Sequence, residues 1–418
     1  MSDVMVKPSR LCGRITVPPS KSDVHRAIIC AALSKAVSTV SPVAFSEDIL
    51  ATIDCIKALG AEVSVCGNKV TIDSTKLFEV DKAFLPCRES GSTVRFFIPV
   101  AAAGGVNGVF DGKGRLPSRP MNVYTDLLPL HGVECITCGG LPFEIKGKLR
   151  PGVYDVPGDV SSQFITGLLF ALPLLDGDSV IHLTSPLQSK GYIDMTVSVQ
   201  KQFGVIIEIK DGDYIVKGNQ KYIPTDYVTE GDWSQAAFFL AAGALGGEVE
   251  VEGVKKDSCQ GDKEIVSLLE KFGAEVEQTD YSVKCRAKEL RAIEIDASQI
   301  PDLVPVLTVC AAFANGTSRI YNAQRVRLKE SDRLAAIREC LNSCGADVTE
   351  TDDGLLISGK PSIDGGKARG FNDHRIVMSM AVAALKSKSG IVISDRESIT
   401  KSYNEFFEDY NSIGGLSD

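Results

Sequence analysis

The sequence predicts an α/β protein (α+β by segregation of its sheets), built from six copies of one strand, helix, strand, helix and hairpin unit grouped three and three. Three observations carry this. Ser22, Ser92, Ser162, Asp232 and Asp302 stand 70 residues apart, and each precedes an alanine (Ala31, Ala101, Ala171, Ala241, Ala311) by nine positions; Asp373 opens a sixth copy. A glycine leading into a strand-like run keeps the same beat at Gly60, Gly132, Gly204, Gly273 and Gly345, with intervals of 72, 72, 69 and 72. A fixed period of this length marks one supersecondary unit used repeatedly. The length of 418 residues is more than one core holds, so two or three domains are expected.

The first copy shows the plan. Pro18-Pro19-Ser20-Lys21-Ser22 runs into the apolar stretch from Val24 to Leu33, a helix with prolines before its start and Ser20 or Ser22 placed to cap it. Asp48 to Leu59 repeats apolar residues at Ile49, Ile53, Ile56 and Leu59, an amphipathic helix ending at Gly60. Val63 to Val65 and Lys69 to Ile72 alternate around Gly67-Asn68, which is hairpin chemistry. Later copies turn at Asp211-Gly212 and Asp353-Gly354. The sixth beat falls at Ile413-Gly414-Gly415 without a hairpin behind it, so the strand-like run Leu11 to Val17 is expected to complete that unit. The two ends of the chain would then share one half. Crossings near Pro18 and Thr229 give an outer, discontinuous domain of 1–17 plus 230–418 and an inner, continuous domain of 18–229.

Composition narrows the class. Hydrophobic residues make up 44%, an ordinary globular content, and the longest apolar run, Phe164 to Leu175, is too short to span a bilayer. Met1 to Lys7 holds no apolar signal segment, so a cytoplasmic protein is expected. The twelve cysteines, among them Cys30, Cys55 and Cys310, fall mostly singly within helical or strand patterns and read as reduced, buried residues. Cys135 and Cys138 form a lone C-x-x-C with no second pair, which favours strand packing over metal binding. A net charge of −9 argues against nucleic acid and anionic membrane as partners. Any anion site must be local.

Such sites cluster at the starts of the repeated helices, where free N–H groups and the helix dipole favour anions. Lys21, Ser22 and Arg26 lie at the first; Glu89-Ser90-Gly91-Ser92-Thr93-Val94-Arg95 opens the second, with a glycine that lets an anion approach the backbone. The loop from Asp111 to Pro120 carries Arg115 and Arg119. Ser161-Ser162-Gln163, Asp302, Arg327 to Arg333 and Asn372-Asp373-His374-Arg375 follow. Taken singly, each is an ordinary charged loop. Parallel packing of the six units is expected to aim all these helix starts toward one region.

Pro19-Ser20-Lys21-Ser22, Gly91-Ser92-Thr93-Val94-Arg95, Arg115-Leu116-Pro117-Ser118-Arg119-Pro120, Ser161-Ser162-Gln163, Lys329-Glu330-Ser331-Asp332-Arg333 and Asp373-His374-Arg375 together resemble the ordered motifs of the EPSP (5-enolpyruvylshikimate-3-phosphate) synthase family. The resemblance runs from about Leu11 to Phe407. It implies two halves, each an inside-out α/β barrel of three βαβαββ units. It also implies transfer of the enolpyruvyl group of phosphoenolpyruvate (PEP) to the 5-hydroxyl of shikimate 3-phosphate, with no metal or organic cofactor. The two domains are expected to close on substrate, because the like-charged clusters at their helix starts repel until an anionic substrate bridges them. A monomer is expected, and glyphosate as an inhibitor at the PEP site.

By the same resemblance, Lys21, Ser22, Arg26, Ser161, Ser162, Gln163, Ser189, Tyr192, Asp302 and Lys329 bind shikimate 3-phosphate. Lys21, Gly91, Arg119, Gln163, Arg333, Arg375 and Lys401 bind PEP, Arg95 and His374 line the region, and Asp302, Glu330 and Lys21 carry the catalytic protons. The residue types suit the task, since guanidinium forks bind phosphate and carboxylate oxygens bidentately. A base must take the hydroxyl proton and an acid must protonate the PEP methylene carbon. The chain departs from common family patterns at Glu89-Ser90, Arg325 and Asn404. UDP-N-acetylglucosamine enolpyruvyl transferase has the same fold but carries a cysteine in the loop before its Arg-Pro pair, and Asp111 to Pro120 has none. A non-catalytic anion-binding protein on this scaffold is the reading from another class.

Overall fold

In the computed structural model, which describes residues 2–418, the chain divides into two compact units. One comprises the chain up to Ser20 together with Glu230–Asp418, and the other is Lys21–Thr229.

The Lys21–Thr229 unit holds three four-stranded sheets of one design. Asp226–Val228, Val37–Ser41, Lys69–Asp73 and Glu62–Cys66 form the first; Lys82–Pro86, Asn107–Asp111, Phe143–Gly147 and Val133–Ile136 the second; Val153–Val156, Ser179–Leu183, Asp213–Val216 and Ile207–Lys210 the third. In each, the first pair is parallel and the rest is antiparallel. The other unit repeats this with Cys12–Thr16, Glu248–Glu252, Ser282–Arg286 and Glu275–Gln278, and again with Glu294–Asp296, Thr317–Tyr321, Leu355–Ser358 and Val348–Glu350. Its third sheet has three strands, Gly366–Ala368, Ile391–Ile393 and Val4–Val6.

That third sheet corrects one expectation. Leu11 to Val17 does not complete the sixth copy; Cys12–Thr16 pairs in parallel with Glu248–Glu252 of the fourth. The sixth is completed instead by Val4–Val6, antiparallel to Ile391–Ile393. The reason lies in the strands that precede each unit's first helix. Asp226–Val228 leads into the fourth copy's helix yet pairs with Val37–Ser41, leaving beside Glu248–Glu252 an edge that Cys12–Thr16 satisfies. The two ends do meet in one unit, with the Cys12 N–H donating to the Ile413 carbonyl at 2.8 Å and Lys7 N–H to the Leu416 carbonyl at 2.9 Å.

Helices fill the interior of each unit and sheets lie outside. Lys21–Leu33, Gly91–Gly104 and Ser162–Ala171 carry their polar residues mainly in the first turns, are apolar beyond them, and are buried over almost their whole length. Trp233–Gly246, Val304–Ala312 and His374–Ala384 do the same in the other unit. The remaining helices bury one stripe, as Ile265–Phe272 does with Ile265, Leu268, Leu269 and Phe272. Strands alternate, so that Ser38 and Val40 face inward from Val37–Ser41.

The 70-residue beat marks the first turns of the buried helices, but the capping side chain is not always on the beat. Asp232 and Asp373 cap as expected, accepting from the N–H groups of Gln235 and Arg375. At the second helix Ser90, not Ser92, accepts from Thr93 N–H, and at the third Ser161, not Ser162, accepts from Gln163 N–H. Ser90 and Ser161 are the residues that keep extended backbone immediately before the helix, which is what a cap requires. Asp302 is not a cap either, since a turn intervenes before the helix begins at Val304 and Leu303 holds the cap position. The amphipathic helix expected from Asp48 begins at Glu47, capped by Ser46. Four cysteines, Cys12, Cys66, Cys138 and Cys259, are exposed rather than buried. Among the described residues no helix is long and apolar enough to cross a membrane.

Candidate active site

In the Lys21–Thr229 unit, residues singled out by the sequence lie at the starts of its three buried helices. Lys21 is the first residue of its helix, and its Nζ lies 2.8 Å from the Asp48 carboxylate. Arg26, one turn further, is 3% exposed and oriented by three hydrogen bonds: Nε donates to Thr196 Oγ1 at 2.9 Å, Nη1 to the Ser22 carbonyl at 2.6 Å and Nη2 to the Tyr192 carbonyl at 2.9 Å. Its guanidinium lies 5.5 Å from the Phe96 ring centroid and 5.9 Å from that of Tyr192. Burial lowers its pKa to about 10, which still leaves it a cation at neutral pH. Tyr192 is placed by Ser189, a non-glycine residue at φ 56° immediately before the helix Lys190–Gln202.

Gly91 opens the second buried helix, and a Cβ there would stand 2.4 Å from Nη1 of Arg119. Arg119 is 8% exposed whereas Arg115 faces solvent, so only one arginine of that loop turns inward. Arg95 donates from Nη1 to Gln163 Oε1 at 2.8 Å and from Nη2 to the Pro120 carbonyl at 3.0 Å, and packs over the Phe164 ring. Gln163 in turn donates to Ser92 Oγ at 2.9 Å. The second and third helix starts are thereby tied together, with Ser161 and Ser162 at the head of the third.

In the other unit the centre is Arg333, 1% exposed and held by three carboxylates. Its Nη1 donates to Asp302 at 2.7 Å, Nη2 to Glu330 at 2.7 Å and Nε to Asp373 at 2.9 Å. Burial opposes its charge, but Asp373, Glu330 and Asp302 more than offset that and raise its pKa. Burial likewise opposes ionisation of Asp373, yet Arg333 holds its carboxyl below the usual range, and Ser331 Oγ adds a donor at 2.8 Å. Asp302 also meets Lys329 at 3.5 Å and Arg375 at 3.2 Å, so three cations converge on it. His374 and Arg375 begin the helix that Asp373 caps, and Lys401 Nζ donates to the Asn372 carbonyl at 2.7 Å just ahead of it.

Two acidic residues were not among the expected site residues. Asp48 pairs with Lys21, and nothing in the pattern of its own helix distinguishes it from a first-turn acid. Asp262 is 3% exposed, accepts from Ser234 Oγ, and is pushed up to about 6 by burial and by the charge of Asp302. It lies in the short 3-10 helix Gly261–Glu264, a stretch that the sequence motifs do not include. Among the described residues no group of three or more His, Cys, Asp or Glu is arranged to hold a metal ion. What the two clusters offer is anion binding by fixed cations and helix starts, together with carboxylates held close to those cations.

Comparisons with known proteins agree on one family. The family model for EPSP synthase (3-phosphoshikimate 1-carboxyvinyltransferase) matches residues 5–410. A 3-phosphoshikimate 1-carboxyvinyltransferase of Clostridium acetobutylicum is 45% identical over 421 residues, covering 99% of this chain and 98% of that protein. The Clostridium kluyveri protein of the same description is 45% identical, covering 100% and 99%. An EPSP synthase structure from Acinetobacter baumannii superposes with a TM-score of 0.83 at 25% identity, covering all of both chains. With helices inside, sheets outside, and cations and carboxylates gathered at the helix starts of each unit, the chain belongs to the EPSP synthase family of enolpyruvyl transferases.

Proposed function

We propose that this protein transfers the enolpyruvyl group of PEP to the 5-hydroxyl of shikimate 3-phosphate and releases phosphate. The observation that carries the reading is the Asp302 carboxylate set among Lys329, Arg333 and Arg375, with Glu330 on the same guanidinium. It joins a hydroxyl-binding acid to phosphate-binding cations, which is the combination the reaction needs.

The proposal gives shikimate 3-phosphate to Ser22, Arg26, Ser161, Ser162, Gln163, Ser189 and Tyr192 in the Lys21–Thr229 unit, with Asp302 and Lys329 as further contacts. PEP is assigned to Gly91, Arg119, Arg333, Arg375 and Lys401, with Lys21 and Gln163 serving both substrates. A carboxylate takes the 5-hydroxyl proton as the oxygen attacks C2 of PEP, and an acid delivers a proton to the methylene carbon. The adduct then loses one hydrogen of the new methyl group as a proton, together with its phosphate. Asp302, Glu330 and Lys21 are the proton carriers. The oxyanions that develop are met by guanidinium groups already in place, so little reorganisation is needed during reaction. Glyphosate, an anion, is proposed to take the PEP position.

A phosphate-release assay with PEP and each acceptor tests this. Release with shikimate 3-phosphate, and none with UDP-N-acetylglucosamine, is expected; the opposite pattern would move the protein to the other enolpyruvyl transferase.

A further inference from the structure

Behind Lys21 and Gly91 runs a buried series of side chains that the proposed reaction does not use. His25 Nδ1 lies 2.7 Å from Thr52 Oγ1, Thr52 Oγ1 lies 2.9 Å from Thr93 Oγ1, and Thr93 Oγ1 donates to Ser90 Oγ at 2.7 Å. All four are at most 1% exposed. Each hydroxyl has a single hydrogen to give, and this sets the direction of the whole series. Thr93 gives its hydrogen to Ser90, so it must accept from Thr52. Thr52 has then given its own and must accept from His25. His25 therefore carries a hydrogen on Nδ1, and because its buried Nε2 meets no hydrogen-bond partner in the structure, the neutral Nδ1–H tautomer is the form that strands no donor there. Burial, and next the charges of Lys21 and Arg26, push the imidazole pKa well down, in keeping with a neutral ring.

The series joins three helices at the places that matter for PEP. Lys21 and His25 lie one turn apart on one helix, and Asp48 and Thr52 one turn apart on the next, so they share faces. The Lys21–Asp48 ion pair and the His25–Thr52 hydrogen bond are therefore successive rungs between the same two helices. Thr93 adds the third helix, and its N–H and hydroxyl both bind Ser90 Oγ, fixing the residue immediately before Gly91. Gly91 has no slack on its other side, where the Arg119 guanidinium lies within contact of any added Cβ. Arg26 is anchored separately, through Thr196, Ser22 and Tyr192.

We infer that the directed series His25–Thr52–Thr93–Ser90 is a positioning device for the PEP side of the site, setting the Gly91 backbone and Lys21 in register while leaving the Arg26 side untouched. The inference rests on the assignment of PEP to Gly91 and Lys21 made above. Ser90 has its part in it as the terminal acceptor.

The test is steady-state kinetics of the full-length protein with Thr52→Val, Thr52→Ser and Ser90→Ala beside the wild type, with imidazole ¹⁵N spectra of the wild type. Thr52→Val is expected to raise KM for PEP roughly tenfold, with KM for shikimate 3-phosphate and kcat changed less than about threefold. Thr52→Ser, which keeps the hydroxyl, should restore KM for PEP, and Ser90→Ala should repeat the defect if Thr52→Val does not fold. The spectrum should show His25 as the Nδ1–H tautomer, neutral as the pH falls through the ordinary imidazole range. Equal changes in both KM values, an unchanged KM for PEP in folded Thr52→Val or Ser90→Ala, or an Nε2–H tautomer would each overturn the inference. A wild type that turns over neither substrate would instead overturn the proposed function.

Discussion

Arg333 and Asp373 form a contact buried on both sides, 1% and 0% exposed, with Nε to Oδ2 at 2.9 Å. Removing one partner strands the other charge where water cannot reach it. Arg333→Met should therefore destabilise the protein by about 3–5 kcal/mol, the usual cost of breaking a buried pair. Urea unfolding checks this; a loss below about 1 kcal/mol would show that Asp373 finds other compensation.

Asp302 and Glu330 are the carboxylates on the same guanidinium. If they carry protons in turnover, Asp302→Ala and Glu330→Ala should each lower kcat on the order of 100-fold. Arg333 keeps Asp373 in both variants, so the fold should survive. Near-normal turnover in either variant would remove that residue from the mechanism.

The pH dependence of stability has a sign fixed by His25. Its imidazole, faced by Lys21, Arg26, Thr52 and Phe96, has a folded pKa well below the unfolded value near 6.5. The unfolded state thus binds the extra proton first. Stability is fully present above about pH 6.5 and is lost as the pH falls below it, by up to about 1.4 kcal/mol per unit. Asp262, raised to about 6, works in the opposite sense: its contribution is present at low pH and lost as pH rises through that value. The difference between wild type and His25→Gln isolates the histidine. A His25→Gln protein with the same acid slope as wild type would contradict the assignment.

Glyphosate should inhibit competitively with PEP, and Gly91→Ala should weaken that inhibition roughly tenfold. The added Cβ meets Arg119 Nη1 at 2.4 Å, so the guanidinium must move from where the anion is proposed to bind. Inhibition constants for the two proteins check this; a wild type indifferent to millimolar glyphosate would mean that Glu89-Ser90 has reshaped the site.

Much of this was legible in the sequence, because the buried helices are apolar beyond their first turns and recur at a fixed interval, so Val24 to Leu33 and its copies announce themselves. The strand exchange was not. Leu11 to Val17 looks the same whichever sheet it joins, and only the parallel edge left beside Glu248–Glu252 decides. Caps slipped by one or two residues for a similar reason, since Ser90 and Ser92 are equally good caps and backbone conformation chooses between them. Lys21, Arg95 and Arg333 stood out by their place at helix starts. Their partners Asp48, Gln163 and Asp373 come from other helices; Gln163 and Asp373 lay in motifs at helix starts, while Asp48 stood out only as the expected start of an amphipathic helix. Thr52 and Asp262 were invisible, because a threonine in an amphipathic helix and an aspartate in a turn carry no signal until the fold buries them.

The central claim is that the oxygen at C5 of shikimate 3-phosphate becomes bonded to C2 of PEP by addition and elimination. Incubating the protein with ¹³C-labelled PEP and shikimate 3-phosphate in D₂O, and reading the product by NMR, tests it directly. An enolpyruvyl ether at C5 whose vinyl methylene has gained deuterium is expected, because the methylene carbon passes through a methyl group before the double bond returns. Pyruvate with no ether, or an ether whose methylene never exchanges during reversible turnover, would contradict it.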